Sequence, residues 1–586
     1  MKKIRNSILA LFLCFSLFAC KAEKEVIEPP EKVNEAFLAF TDKLVGWYYG
    51  ENSVSAYFDF AHPEKYGIVL GKPDFTIPSY EKVLKTAEEA KAHLTNLKSF
   101  DYQSLSKSEK MTYDLLEYDL QSNIDLPDFY YFRMGALGNF LGLNCNLPYY
   151  YIAWPLLSKD YLEGLIYTLD NLIPTFQNWI DYEFARVAHG YSLSKNSYQG
   201  IVTNAQKIVD AGDEYFLIDQ IVKRVATVPG LSATEIASYQ KIVEESMKTN
   251  YIGAYRLLVQ QIPKLYTSCP DPEKSGLPHF KKGDEFYRFM LKYNVGVDDN
   301  PEQIYAYFEK KLAEQIDLYI STNNAHSDYE NIEYLFAIMD NSNKIDDVMD
   351  FLAKASMKDY PAINKPQYIT ELVDKTQQEN FSPAAYFTPL LDSDYTNLIL
   401  INPSSNSGKY STIAHETYPG HLYQFNYVSQ SKLPMIRKII SVTGYAEGWA
   451  TYTDHQALKY VPKIKDYQIT LYHLNEDIIY TLWCMVDIGI NYHGWGVNKV
   501  QEFLAGYLGE FSYTNAEYFF DVVQENPTNM LQYYYAFYLL EDYKAEFFKT
   551  AKKPTDFMFN KAVVEVGAVP FPLLKKHLIE VAEKTK

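Results

Sequence analysis

The sequence predicts a mainly α protein: one large helical body whose two halves flank a central cleft, with a short β-strand element. Three observations lead there. Apolar residues recur at three- and four-residue spacing along most of the chain. Strand signals are scarce. A composition of 47% hydrophobic and 22% charged residues over 586 positions is that of a globular chain with enough apolar surface for a large core.

The first residues are read as a targeting segment. Lys2, Lys3 and Arg5 precede a short apolar run from Ile8 to Ala19, too short to cross a bilayer. The run ends Leu17-Phe18-Ala19-Cys20, which resembles the lipobox of bacterial lipoproteins. Residues 1–19 are therefore expected to be a signal peptide, Cys20 a lipidated first residue, and residues 20–30 a polar tether. That implies a lipid-anchored protein of the bacterial cell envelope, with the outer membrane as the expected site and the anchor as its membrane contact.

Helical periodicity covers Tyr80 to Ser99, Ser106 to Gln121, Lys159 to Ala188, Ser232 to Lys264 and Asn300 to Thr322. Ser106 with Glu109, and Ser232 with Glu235, have the spacing of a capping box. A polar, proline-bearing stretch from Ser268 to Pro278 divides an N-terminal helical half, 31–270, from a C-terminal half, 271–586. Further on, the short run Asn397 to Ile401 reads as a strand, and Asn402 to Gly408 as a loop rich in turn formers.

Charge and cysteine usage exclude some partners. With 55 Lys and Arg against 74 Asp and Glu, the net charge of −19 repels phosphate backbones, and no nucleic acid partner is expected. The 53 Tyr suit half-buried positions where the ring packs and the hydroxyl finds a polar partner. Beyond Cys14 and Cys20, only Cys145, Cys269 and Cys484 remain, without a paired-cysteine metal signature or a disulfide framework.

The chemistry is concentrated after residue 411. Thr412-Ile413-Ala414-His415-Glu416-Thr417-Tyr418-Pro419-Gly420-His421 places two His six residues apart. On a straight helix six residues turn about 600°, so the rings would point about 240° apart and could not share a metal. Pro419-Gly420 removes that difficulty, since Pro ends the helical ladder and Gly permits the turn that brings His421 back to His415. A catalytic zinc needs a third ligand and an open fourth position. Glu447, in Gly444-Tyr445-Ala446-Glu447-Gly448-Trp449, is the expected third, because an unpaired carboxylate among small and apolar residues is costly. Asp454 lies seven residues on, about 10 Å along the same helix face, where it could orient a His ligand; Thr451 is a second candidate. A solvated helix end fits Asp454 and His455 equally well.

These motifs resemble the bacterial domain of unknown function 885 family, grouped with the gluzincin zinc metallopeptidases. The resemblance rests on His415-Glu416, Pro419-Gly420-His421 and Gln424, and on Glu447-Gly448-Trp449-Ala450 with Tyr452 and Asp454. It extends through Tyr386-Phe387 and Pro389, Asp487, Gly489 and Trp495, to Gly567 and Val569-Pro570. Two positions depart from the family pattern. Asn491 stands where a His is usual, with His493 close by, and Pro527-Thr528 where Pro-Gly is usual.

The resemblance implies a metallopeptidase-like fold with Zn2+ held by His415, His421 and Glu447. It further implies Glu416 as the base that activates water, a strand beside the zinc helix that pairs with peptide substrate, and short peptides as substrates. Tyr533 matches the family's late tyrosine and is the leading donor to the oxyanion; Tyr534, His493 and Asn491 are alternatives. Two rivals remain at this stage: a non-catalytic envelope lipoprotein that keeps the fold, and a zinc hydrolase of a non-peptide amide or ester.

Overall fold

Helices account for most of the chain in the computed structural model, which describes residues 33–50, 53–132, 135–326, 345–375, 378, 381, 383–393, 396–404 and 409–585. The expected signal peptide 1–19, Cys20 and the expected tether 20–30 lie outside the described residues. Both expected capping boxes form. Ser106 accepts from the Glu109 N–H while the Glu109 carboxylate accepts from the Ser106 N–H, and Ser232 and Glu235 do the same. No described helix is long and apolar enough to cross a membrane.

The expected helix from Lys159 to Ala188 is two helices, Lys159–Asp170 and Leu172–Ala188. Asn171 breaks the ladder, and Pro174 falls in the first turn of the second helix, where its missing N–H costs no internal bond. Ser232 to Lys264 is likewise interrupted, by a π-turn at Met247–Tyr251 and by a tightened turn at Ile262–Leu265 that contains Pro263.

The helices used below are α1 (Leu143–Ala153), α2 (Lys195–Ala211), α3 (Pro301–Ala325), α4 (Lys409–Glu416), α5 (His421–Gln430), α6 (Thr443–Ala457), α7 (Asp466–Asn491), α8 (Tyr513–Glu525) and α9 (Ala536–Thr550). Three strands, β1 (Tyr368–Leu372), β2 (Ala384–Phe387) and β3 (Asn397–Ile401), form one sheet in the order β1-β3-β2. β3 runs parallel to β1 and antiparallel to β2, with Tyr386 opposite Ile399.

The strand expected at Asn397 to Ile401 is therefore present with those bounds, but it is central. Its backbone is paired on both sides and cannot receive a peptide; β2, which sequence reasoning did not find, is the edge beside α4. A run of five buried residues suits a strand covered on both faces. Ile399 and Ile401 belong to one apolar core, Leu398 and Leu400 to another.

Those two cores divide the chain differently from a simple split near residue 270. The larger gathers residues from 37–129 together with most of 277–582, and the smaller is built mainly from 136–265. Buried tyrosines help to stitch both through their hydroxyls: Tyr255 donates to the Asn144 carbonyl, Tyr445 to the Val563 carbonyl and Tyr452 to Asn560 Oδ1. Cys145, Cys269 and Cys484 are free thiols.

Between α8 and the π-turn Leu531–Tyr535 the chain turns at Thr528, a fully buried β-branched residue at φ 64°. Its N–H donates to Asp487 Oδ2 at 2.8 Å, while its own hydroxyl has no partner. The left-handed conformation costs a non-glycine residue about 1–2 kcal/mol, and a buried orphan hydroxyl adds to that. Thr528→Gly is expected to raise the unfolding free energy by about 1 kcal/mol after the loss of a packed methyl group. Urea unfolding with an unchanged m-value checks this; a lower midpoint would contradict it.

Candidate metal centre

His415 and Glu416 sit in the last turn of α4, which cannot continue through Pro419. The reversal that follows is tightly packed. The Gly420 N–H donates to the Ala414 carbonyl at 3.0 Å, and a Cβ on Gly420 would lie 1.8 Å from the His415 carbonyl oxygen. Only glycine fits there. α5 then starts at His421, and the two imidazoles stand perpendicular with ring centroids 4.8 Å apart. The helix break expected from Pro419-Gly420 is thus what joins the two rings.

α6 supplies Glu447. Its Oε2 lies 3.5 Å from His415 Nε2 and 3.3 Å from His421 Nε2, yet makes no hydrogen bond, and the three donor atoms all fall within 4.8 Å of one another. Two contacts hold α6 in place. Trp449 Nε1 donates to the Pro419 carbonyl at 3.1 Å, and at Gly448 a Cβ would stand 2.6 Å from Ala536 Cβ, so glycine lets α9 approach beside Glu447.

Asp454 is not a solvated helix end. It is largely buried; Oδ2 meets His415 Nδ1 at 3.0 Å, and Oδ1 meets His455 Nδ1 at 2.6 Å. His455 Nε2 in turn meets Asp477 Oδ1 of α7 at 2.9 Å, and the ring stacks on His473 at 4.2 Å. A chain of His415, Asp454, His455 and Asp477 therefore runs inward from the cluster. Thr451 corrects another expectation. What it contributes is its carbonyl, to His455 Nδ1 at 2.7 Å, whereas His421 Nδ1 has no partner. Four residues before His455 on a helix, it is the Thr451 carbonyl that faces that ring.

The electrostatics follow from this geometry. Burial disfavours charge on His415, but Asp454, Glu447 and Glu416 outweigh it and push its pKa up to about 10. Burial opposes ionisation of Glu447 too, and the two imidazoles overcome it, holding the carboxyl well below its usual range. His455 is held charged by Asp477 and Asp454 against its burial. Glu416 is shifted upward, by burial first and by Glu447 as well, with the Tyr386 backbone N–H of β2 bonded to its carboxylate.

Tyr533, in the π-turn, stacks over the His415 ring with centroids 6.0 Å apart. Glu447, together with burial, raises its phenol well above the usual value, so the hydroxyl stays a donor. Its neighbours go elsewhere. Tyr534 stacks on Tyr480 at 4.3 Å, and Tyr535 packs on Tyr307 and Phe308 of α3.

His493, an expected catalytic residue, is not part of the cluster. Beyond the end of α7 its Nε2 meets Glu302 Oε2 at 3.3 Å and its ring packs on Tyr305 and Trp495. Asn491 is buried beside Asp487, which also accepts from the Tyr287 hydroxyl at 2.8 Å and from Thr528. Both departures from the family pattern thus border a structural carboxylate. Sequence reasoning missed Asp477 and the Tyr386 N–H, because no local spacing ties either to the His-Glu motif.

Two solved structures share this fold. A candidate lipoprotein from Colwellia psychrerythraea superposes with a TM-score of 0.79 at 15% identity, covering 94% of this chain and 99% of that one. A candidate lipoprotein of unknown function from Shewanella oneidensis gives a TM-score of 0.57 at 16% identity, covering 92% and 98%. No curated protein sequence matches significantly. The model of a bacterial protein family of unknown function, DUF885, matches residues 67–578, most of the chain. The chain belongs to the DUF885 family.

Proposed function

We propose that this protein is a zinc-dependent peptidase of the bacterial envelope that cleaves short peptides. The observation that carries the reading is the convergence of His415, His421 and Glu447, with an unpartnered Glu447 oxygen between two imidazole nitrogens and Glu416 alongside. Two His and one Glu form a donor set that catalytic zinc sites use, with a position left for water. Electrostatics support the fit. The cluster draws a proton onto His415, and a divalent cation would satisfy the same demand for positive charge.

Zinc bound there would lower the pKa of its water to about 7 and polarise a carbonyl. Glu416, its pKa raised, takes the proton from water and passes it to the leaving amine. The Tyr533 hydroxyl donates to the developing oxyanion. Asp454 fixes the His415 ring through Nδ1, leaving Nε2 to face Glu447 and His421. With the Tyr386 N–H held by Glu416, the outward Tyr386 carbonyl of β2 is the group to which an extended peptide lying along the strand would donate.

Mass spectrometry of residues 21–586 is expected to find about one zinc per chain, lost in Glu447→Ala, and Asp454→Ala should weaken zinc binding by about 10–100-fold. A metal-free protein after zinc reconstitution would sink the reading. With zinc retained, Glu416→Gln should abolish peptide hydrolysis and Tyr533→Phe should lower kcat by about 100–1,000-fold. Hydrolysis that survives Glu416→Gln would remove Glu416 from its role.

Envelope anchoring is supported by the lipobox-like end at Cys20 and by the candidate lipoproteins that share the fold. Radiolabelled fatty acid should enter the wild-type protein and not Cys20→Ala; equal labelling of both would refute lipidation at this residue.

A further inference from the structure

The Pro383 carbonyl accepts from the Asn402 N–H at 2.9 Å, which sets the alternation along β2. Ala385 and Phe387 fall in the bonded pairs with β3, and the backbone of Tyr386 turns outward to the Glu416 carboxylate. The side chains alternate the other way. Tyr386 shares the face of Ile399, toward α5, whereas Ala385 and Phe387 share the face of Leu398 and Leu400, toward the smaller core.

On that second face lies a cavity of about 330 Å³, bounded by β2, α1, α2 and residues 139–141. Phe387 and Ala385 form its sheet side. Tyr149 and Phe381, with centroids 4.5 Å apart, and Leu143 line it as well, as does Leu141, which is 51% exposed. The wall is braced. Phe140 N–H donates to Glu525 Oε1 at 2.9 Å and Gly138 N–H to Asn144 Oδ1 at 2.8 Å, tying the loop to the end of α8 and to α1. The volume is at the low end of the roughly 300–1,000 Å³ of small-molecule pockets and suits one side chain.

We infer that this cavity is a specificity pocket that takes a large apolar or aromatic side chain of the substrate. The inference rests on the peptidase reading. An extended peptide paired with β2 points alternate residues to opposite faces. A residue opposite Tyr386 turns its side chain toward α5 and the metal cluster, so its neighbour in the peptide must turn toward the cavity. One strand thus sets both the reacting bond and the pocket, and selectivity falls at one fixed position from the cleaved bond. Asn139, Asn146, Asn204 and the exposed Lys207 add polar groups to the lining, in which aromatic and aliphatic carbon still predominates.

The test is a peptide library digested by the zinc-loaded protein and by Ala385→Phe, which fills the cavity from a strand position that accepts an aromatic residue. Wild type should favour Phe, Leu or Met at one position by at least tenfold over Gly or Ala, and Ala385→Phe should reverse that ratio. Leu141→Ala, at an exposed wall, should weaken the preference without loss of fold. No positional preference, a preference for acidic residues, or the same profile in Ala385→Phe would overturn the inference. If the zinc-loaded protein cleaves no peptide, the peptidase reading fails, and calorimetry with a Phe-containing tripeptide decides the pocket separately. Binding lost in Ala385→Phe upholds an apolar side-chain site; no binding to wild type overturns it.

Discussion

Everything at the candidate metal centre depends on one close approach, that of Gly420 to the carbonyl of His415. A helix cannot bring two side chains six residues apart onto one face, and a long loop would leave the second ring loosely placed. The compromise is a break of four residues in which the Gly420 N–H still bonds back to Ala414 and Tyr423 to Thr417. Several backbone groups of the turn thus stay paired, and α5 starts with His421 beside His415. Trp449 reads that turn directly through its bond to the Pro419 carbonyl. The helix that carries the third donor is therefore registered against the break itself.

The second constraint is charge. Glu416, Glu447, Asp454 and Asp477 lie within a small, largely buried volume, where unpaired carboxylates are expensive. Imidazoles are interposed between them, His415 between Glu447 and Asp454, and His455 between Asp454 and Asp477. The alternation explains why the inner His455 is held charged and why His473, stacked on it, is pushed strongly toward the neutral form by burial and by that neighbouring charge. It also fixes the orientation of His415, since both of its nitrogens face carboxylates.

The parts of this structure legible in the sequence are those set by neighbours in the chain. The capping boxes at Ser106 and Ser232, the long helices, the strand at Asn397 and the break at Pro419-Gly420 all follow from local patterns. Asp454 was visible as a candidate because its distance from Glu447 is a helical repeat. What escaped joins remote segments: Asp477 reaches His455 from another helix, and β2 gains its role only by pairing with β3. His493 misled for the same reason. Its closeness in sequence to Asn491 says nothing of where the chain points after α7 ends, and it points to Glu302 of α3. Thr528 shows the reverse case, a residue at odds with its backbone angle, held there by the bond from its N–H to Asp487.

The three-stranded sheet gives the molecule its functional geometry despite its size. Covered on one face by the core around α4 and on the other by the core around α1, it is a layer between the two apolar cores. A wholly helical junction would present only side chains, since helix backbones bond internally. An edge strand presents backbone as well, and its period of two sends neighbouring side chains into different cores. β2 therefore touches the Glu416 carboxylate with one residue and borders a separate cavity with the residues on either side.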